Sequence, residues 1–151
     1  MNTSLLSERT IRINASFPDK ETAIRACGRL LEEAGHVEAG YIDLMVERDR
    51  ASTVYVGNGV AVPHGTKASQ RFVKSTGMAI VQVPGGVDFG DGNVARILIA
   101  LAARGDEHID LLTEIAETCA DDARLGLLLS ASSPREILEI LSPGSAAPVG
   151  A

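Results

Sequence analysis

Gly57-Asn58-Gly59-Val60-Ala61-Val62-Pro63-His64-Gly65-Thr66 is the stretch on which the reading of this chain turns. Thr53 to Val56, an apolar-rich strand pattern, leads into it. Gly57-Asn58-Gly59 is a turn signal, and Val60 to Val62 resumes extended chain. Pro63 fixes its own φ and biases Val62 toward extended geometry. Gly65 removes side-chain bulk just past the imidazole, so backbone or a bulky ligand can come close. A rigid approach, an exposed imidazole and open space behind it suit a histidine that does chemistry. A strand end with an incidental surface histidine reads the same residues equally well, because one His after a Pro is a weak motif.

Upstream, Ile11 and Ile13 alternate with Arg12, as in a short strand. Asp19 stands where a helix N-cap belongs. Ala23, Ile24, Cys27, Leu30, Leu31 and Ala34 follow at helical spacing up to Gly35. Lys20, Glu21, Arg25, Arg29 and Glu32 fall on its other, solvated face. A second helix is predicted over Glu38 to Arg50, burying Tyr41, Leu44 and Met45. Its charged end, Glu47-Arg48-Asp49-Arg50, has two readings. It is a solvated terminus with self-compensating charges, or it turns one arginine toward the His64 loop to meet an anion.

Downstream, Lys67 to Lys74 reads as a polar connection and Met78 to Val83 as a buried strand. Pro84-Gly85-Gly86 signals a turn. Val94 to Ala102 is the most apolar run; helix and strand both fit, and its length and flanking glycines favour a central strand. Asp106 is placed to cap a helix carrying Ile109, Leu112, Ile115 and Cys119. Asp121-Asp122 opens another, and Ser133-Pro134-Arg135-Glu136 starts a third with a Ser cap, Pro at the first helical position and Glu at the capping-box position. The expectation is a single α/β domain over residues 1–141, a mixed β-sheet with helices on both faces. Residues 142–151, rich in Pro, Gly, Ser and Ala, read as a disordered tail.

Composition narrows the function. The chain has 151 residues, enough for one domain with a real core, and aromatics are only 3%, so that core must be aliphatic. Fourteen basic against twenty acidic side chains give a net charge of −6, which disfavours general nucleic-acid binding. Cys27 and Cys119 fall on apolar helical stripes and read as buried free thiols. No CxxC, HExxH or Cys/His cluster suggests a metal. No signal-peptide pattern or membrane-length apolar run is present, so a soluble cytoplasmic protein is expected.

Three histidines are available: His36, His64 and His108. His36 follows Gly35 in a helix-to-helix turn and reads as a surface residue. His108 lies in the first turn of the helix after the longest apolar run. Helix N-termini there offer backbone N–H groups to an anion, although an exposed polar residue is the plainer interpretation.

Taken together, Gly-Asn-Gly-Val-Ala-Val-Pro-His64-Gly-Thr, Met45-Val-Glu-Arg48-Asp before it, and Gly86-Val-Asp-Phe-Gly and Ala102-Ala-Arg-Gly-Asp-Glu-His108-Ile after it resemble a family. It is enzyme IIA of the bacterial phosphoenolpyruvate-dependent sugar phosphotransferase system, in the mannitol-type branch of the mannitol/fructose class. The resemblance runs from about residue 5 to 141. It implies that His64 accepts a phosphoryl group, that His108 lies beside it, and that Arg48 reaches the same site. It also implies phospho-HPr as donor and a cysteine of a IIB domain as acceptor, on the way to mannitol or related sugar uptake, with no cofactor. In some members an acidic residue stands at Asn58; an Asn there can still orient an imidazole or donate to a phosphate oxygen. Backbone amides near Gly65 and Thr66 would complete the cradle.

Imidazole, with an ordinary pKa near 6.5, offers a neutral nucleophilic nitrogen at cellular pH. In-line phosphoryl transfer then needs positioning and charge stabilisation rather than covalent help. Arg48 would supply a permanent forked cation. An alternative within the resemblance is a regulatory module of the nitrogen-related type, which binds other proteins according to its phosphorylation state. A His-based hydrolase or metal site is disfavoured, because no convergent carboxylate or thiolate set accompanies the histidines. Val60, Val62, Phe89 and Met45 would supply either an apolar docking patch or plain core, and core is favoured for most of them.

Overall fold

Strand patterns become strands at five places: Ile11–Arg12 (β1), Tyr55–Gly57 (β2), Val60–Ala61 (β3), Gly77–Asp88 (β4) and Val94–Ala102 (β5). The computed structural model describes residues 5–141, with the backbone alone at His108; the expected tail over 142–151 lies outside the described residues. The strands form one mixed sheet in the order β1-β4-β5-β3-β2. β4 and β5 are antiparallel, while β1 runs parallel to β4 and β3 parallel to β5. Asn58 and Gly59, with φ of 55° and 77°, make the two-residue turn between β2 and β3 that an Asn-Gly pair favours.

Helices Lys20–Glu33 (α1) and Gly40–Ala51 (α2) cover one face, and Glu107–Ala120 (α3), Asp122–Ser130 (α4) and Pro134–Leu141 (α5) the other. Alternation along β5 serves both. Leu98, Ala100 and Ala102 pack toward Ile24, Cys27 and Met45, whereas Ile97, Ile99 and Leu101 pack toward Ile115, Leu128 and Ile137. Val60, Val62, Phe89 and Met45 are all core, at 0%, 1%, 3% and 0% exposure. Cys27 and Cys119 are free buried thiols on opposite faces of the sheet.

Two local expectations are corrected, and the expected connection after His64 takes a definite local form. The expected turn at Pro84-Gly85-Gly86 lies inside β4, where the register shifts between Gln82 and Val87 and Gly86 takes φ 80°. β1 pairs only at Ile80 and Val81, so at Pro84 that edge of β4 is open and the missing N–H breaks no ladder. The connection after His64 is a 3-10 segment, Lys67–Phe72. Finally, the charges ending α2 are neither all solvated nor self-compensating. Asp49, 4% exposed, pairs with Lys20 at 2.9 Å and accepts from the Val54 N–H at 3.1 Å. Arg50 pairs with Glu21 at 2.7 Å, and Arg25 with Asp43 at 2.8 Å. Lys20, Glu21 and Arg25, on the face of α1 expected to be solvated, therefore form a charge-paired seam against α2, while Arg29 on the same face is exposed.

Candidate functional site

Because β3 and β5 are parallel neighbours, their C-terminal ends lie side by side. Open α/β sheets gather ligands at such ends. The pairing runs on past β3: His64 bridges to Leu101, and the Leu101 N–H donates to Pro63 O at 3.0 Å. Here the molecule opens into a cleft of about 660 Å³ with walls from three segments. Helix α2 gives Tyr41 and Arg48; the stretch after β3 gives His64, Gly65, Thr66, Lys67 and Gln70; the chain leaving β5 gives Leu101, Ala103, Gly105 and Asp106.

His64 is half-buried, and its Nδ1 lies 2.7 Å from Val62 O. A carbonyl oxygen only accepts, so this contact puts the ring proton on Nδ1 and makes Nε2 the nucleophilic nitrogen of the neutral ring. The same bond fixes the ring plane. Arg48, in the last turn of α2, lines the cleft and donates from Nη1 to Ser52 O at 2.6 Å. That uses one of the five N–H donors of a guanidinium. Lys67, exposed and directly after the His-Gly-Thr run in the expected polar connection, brings a second cation to the cleft. Thr66 also lines the cleft, and its buried hydroxyl makes no hydrogen bond among the described residues.

The space behind Gly65 is filled rather than open. A Cβ there would lie 2.6 Å from Tyr41 Cε1 and also against Ser69 Oγ. Tyr41 is 3% exposed; its hydroxyl donates to Leu101 O at 3.0 Å and accepts from the Gly65 N–H at 2.8 Å. Burial pushes its phenol up to about 12, with the Gly65 hydrogen bond acting the other way. Gln70 ties the 3-10 segment to the chain leaving β5, donating to Ala103 O at 2.9 Å and accepting from the Gly105 N–H at 3.2 Å. Helical phase marked Tyr41 as buried, but nothing in the sequence marked the hydroxyl's partners or those of Gln70.

Of the residues singled out from sequence, the fold brings Arg48, His64, Gly65 and Thr66 to one cleft. His108 enters by backbone position: α3 starts at Glu107, just beyond the cleft wall at Gly105 and Asp106. Asp106 precedes α3 without capping it, because its φ/ψ of −90°/1° is not the extended geometry of an N-cap, and it lines the cleft instead. Asn58 is not brought there. Its Nδ2 donates to Cys119 O at 3.0 Å and Asp122 Oδ1 at 3.3 Å, so its amide joins the β2–β3 turn to the α3–α4 corner. The phosphate-supporting role expected of Asn58 is corrected to this structural one.

Comparisons with known proteins converge. The model of the family "Phosphoenolpyruvate-dependent sugar phosphotransferase system, EIIA 2" matches residues 4–143. The chain is 40% identical over 142 residues to the mannitol-specific phosphotransferase enzyme IIA component of Geobacillus stearothermophilus, covering 94% of this chain and 98% of that one. The crystal structure of IIA mannitol from Escherichia coli superposes with a TM-score of 0.85 at 35% identity, over 91% of this chain and 99% of that one. Enzyme IIAMtl in its complex with phosphorylated enzyme IIBMtl from the same organism gives 0.85 at 35% identity, over 90% and 96%.

Proposed function

This chain belongs to the EIIA 2 family of the phosphoenolpyruvate-dependent sugar phosphotransferase system, and on that premise we propose that it carries a phosphoryl group on His64 Nε2. The observation that carries the reading is the Nδ1 contact with Val62 O, which aims Nε2 while Arg48 and Lys67 line the same cleft. The Nε2 lone pair attacks phosphorus as the N–P bond of a donor phosphohistidine breaks, and the donor ring keeps the released electron pair. The phosphorylated His64 ring, still protonated at Nδ1, carries positive charge that Val62 O stabilises and that makes the ring a good leaving group. A IIB cysteine thiolate then attacks phosphorus, an S–P bond forms as the Nε2–P bond breaks, and the electron pair returns to Nε2 to leave His64 neutral. Arg48 and Lys67 offset the charge of the phosphoryl oxygens, Thr66 serves as donor through its N–H and hydroxyl, and His108 supports from the start of α3, while the Gly65 N–H is committed to Tyr41 and takes no part as a donor.

The donor in this reading is phospho-HPr and the acceptor a mannitol-type IIB domain, partners that would have the protein work in the cytoplasm; the names of its relatives support mannitol as the sugar. No helix among the described residues is long and apolar enough to cross a membrane. The test is phosphorylation by phospho-HPr followed by transfer to purified IIB domains. One acid-labile, base-stable label is expected, lost in His64→Ala and passed to a mannitol-type IIB. Stoichiometric labelling of His64→Ala overturns the site. Labelling without transfer to any IIB favours the regulatory alternative.

A further inference from the structure

At the end of β3 a side chain is spliced into the sheet ladder. With His64 bridged parallel to Leu101 and the Leu101 N–H on Pro63 O, the next ladder bond would run from the Gly65 N–H to Leu101 O. That bond is replaced by a relay. The Gly65 N–H donates to the Tyr41 hydroxyl at 2.8 Å, and the hydroxyl donates to Leu101 O at 3.0 Å. The phenol oxygen stands between the two strands where one hydrogen bond would otherwise close them. Tyr41 has no room to leave: it is 3% exposed, and its ring lies where any Cβ on Gly65 would go. Three of the cleft's walls, at Tyr41, Gly65 and Leu101, are the three partners of this relay.

We infer that Tyr41 is a positioning residue, a wedge that parts the chain after His64 from β5 and so sets the height of the imidazole over the cleft. The inference rests on the reading of His64 as phosphoryl acceptor. Tyr41 touches no reacting atom in this account. It acts through the Gly65 backbone, with both capacities of its hydroxyl in use. Without that oxygen, Gly65 N–H and Leu101 O either close on each other or remain buried without partners, and either result moves the residue before Gly65.

Tyr41→Phe keeps the ring and removes the relay. The matched control is Tyr55→Phe, which deletes a second hydroxyl that accepts a backbone N–H, from Gly59 at 2.9 Å, at the far end of the hairpin. For transfer from phospho-HPr, Tyr41→Phe should lower kcat on the order of 10- to 100-fold, the cost of displacing a reacting group by about 1 Å, with KM little changed. Tyr55→Phe should keep kcat. In nitrogen-detected spectra, Tyr41→Phe should shift the Gly65 amide and the His64 ring nitrogens, and Tyr55→Phe should leave both in place. Wild-type kcat with unmoved Gly65 and His64 signals in folded Tyr41→Phe overturns the inference. If the unaltered protein takes no phosphate from phospho-HPr, the acceptor reading fails, and the spectra still decide whether Tyr41 sets the His64 position. If Tyr41→Phe does not fold, the unaltered protein decides: a Tyr41 hydroxyl proton protected from exchange and close to the Gly65 amide proton is expected, and a rapidly exchanging one overturns the wedge.

Discussion

Gly65→Ala adds one methyl group at the tightest point behind the imidazole. The backbone at Gly65 is not in the left-handed region, so the substitution carries no φ penalty and tests packing alone. The new Cβ would meet Tyr41 Cε1 at 2.6 Å and Cζ at 2.8 Å, where carbon atoms ordinarily sit about 3.5–4.0 Å apart. The shortfall is therefore about 1 Å, with Ser69 Oγ crowding the same methyl. Neither neighbour yields easily. Tyr41 is buried and bonded at both ends, and Ser69 is buried and donates to Thr66 O. Overpacking of this kind costs about 1–3 kcal/mol, and loss of the Tyr41 relay about 1 kcal/mol more. At about 2–4 °C per kcal/mol for a chain of this size, a Tm lower by roughly 4–16 °C is expected in calorimetry. A displacement of His64 by about 1 Å should also slow phosphoryl transfer on the order of 100-fold. Gly65→Ala with Tm within 2 °C (about 1 kcal/mol or less) and an unchanged transfer rate would refute the packing described around His64.

Two further predictions concern stability. Tyr41 and Cys27, each pushed by burial up to about 12, hold protons in the folded chain that the unfolded chain releases above about pH 10 and pH 9. Their contribution is fully present below those values and is lost as pH rises toward 12; for Tyr41 it amounts to roughly 3 kcal/mol. Urea midpoints should fall between pH 9 and 12, and Tyr41→Phe should flatten the part above pH 10; a pH-independent midpoint across that range contradicts both burials. Gly126, within α4, has nothing within 4 Å of a would-be Cβ, so Gly126→Ala should stabilise by about 0.5–1 kcal/mol in the same denaturation assay.

Much of the scaffold was legible because periodicity and capping chemistry are local. Asp19 accepts from the Thr22 N–H at 2.8 Å as an N-cap should, and Ser133 accepts from the Glu136 N–H at 3.1 Å. The aliphatic run at Val94–Ala102 became the central strand its length favoured. Residues whose partners lie far along the chain were not legible. Gln82, 1% exposed in the middle of β4, donates to Leu128 O and Ala131 O, both at 2.9 Å, and accepts from the Asn14 N–H at 3.1 Å. The apolar run around it marks the strand as buried, but no period in the sequence names the distant partners of that glutamine. The partners of Tyr41 and Gln70 are illegible for the same reason. The resemblance points Asn58 toward the cleft because some relatives carry an acidic residue there, whereas its amide is held at the α3–α4 corner by Cys119 O, a partner 61 residues along the chain.

The choice between Arg48 and Arg50 shows how the fold resolves what local sequence leaves open. Residues two apart on a helix point about 200° away from one another, so only one of the pair can face the His64 cleft. The seam with α1 decides which. Asp49 is drawn inward by Lys20 and the Val54 N–H, and Arg50 is held on Glu21. That phase leaves Arg48 on the cleft side, steadied by Ser52 O. Arg50→Ala should therefore cost no more than about 1 kcal/mol, because the pair it breaks is 65% and 44% exposed, and should leave phosphoryl transfer unchanged. Arg48→Ala should slow transfer on the order of 100-fold with little loss of stability, since it removes charge from the phosphoryl oxygens and not the nucleophile. Arg50 cannot substitute for it without turning the helix and breaking the buried Asp49 pair. Single-turnover transfer from phospho-HPr, measured alongside Tm for both variants, reads the asymmetry directly. Equal slowing by the two substitutions would mean that the Lys20–Asp49 seam does not set the phase of α2, and that the cleft recognises diffuse positive charge in place of one placed guanidinium.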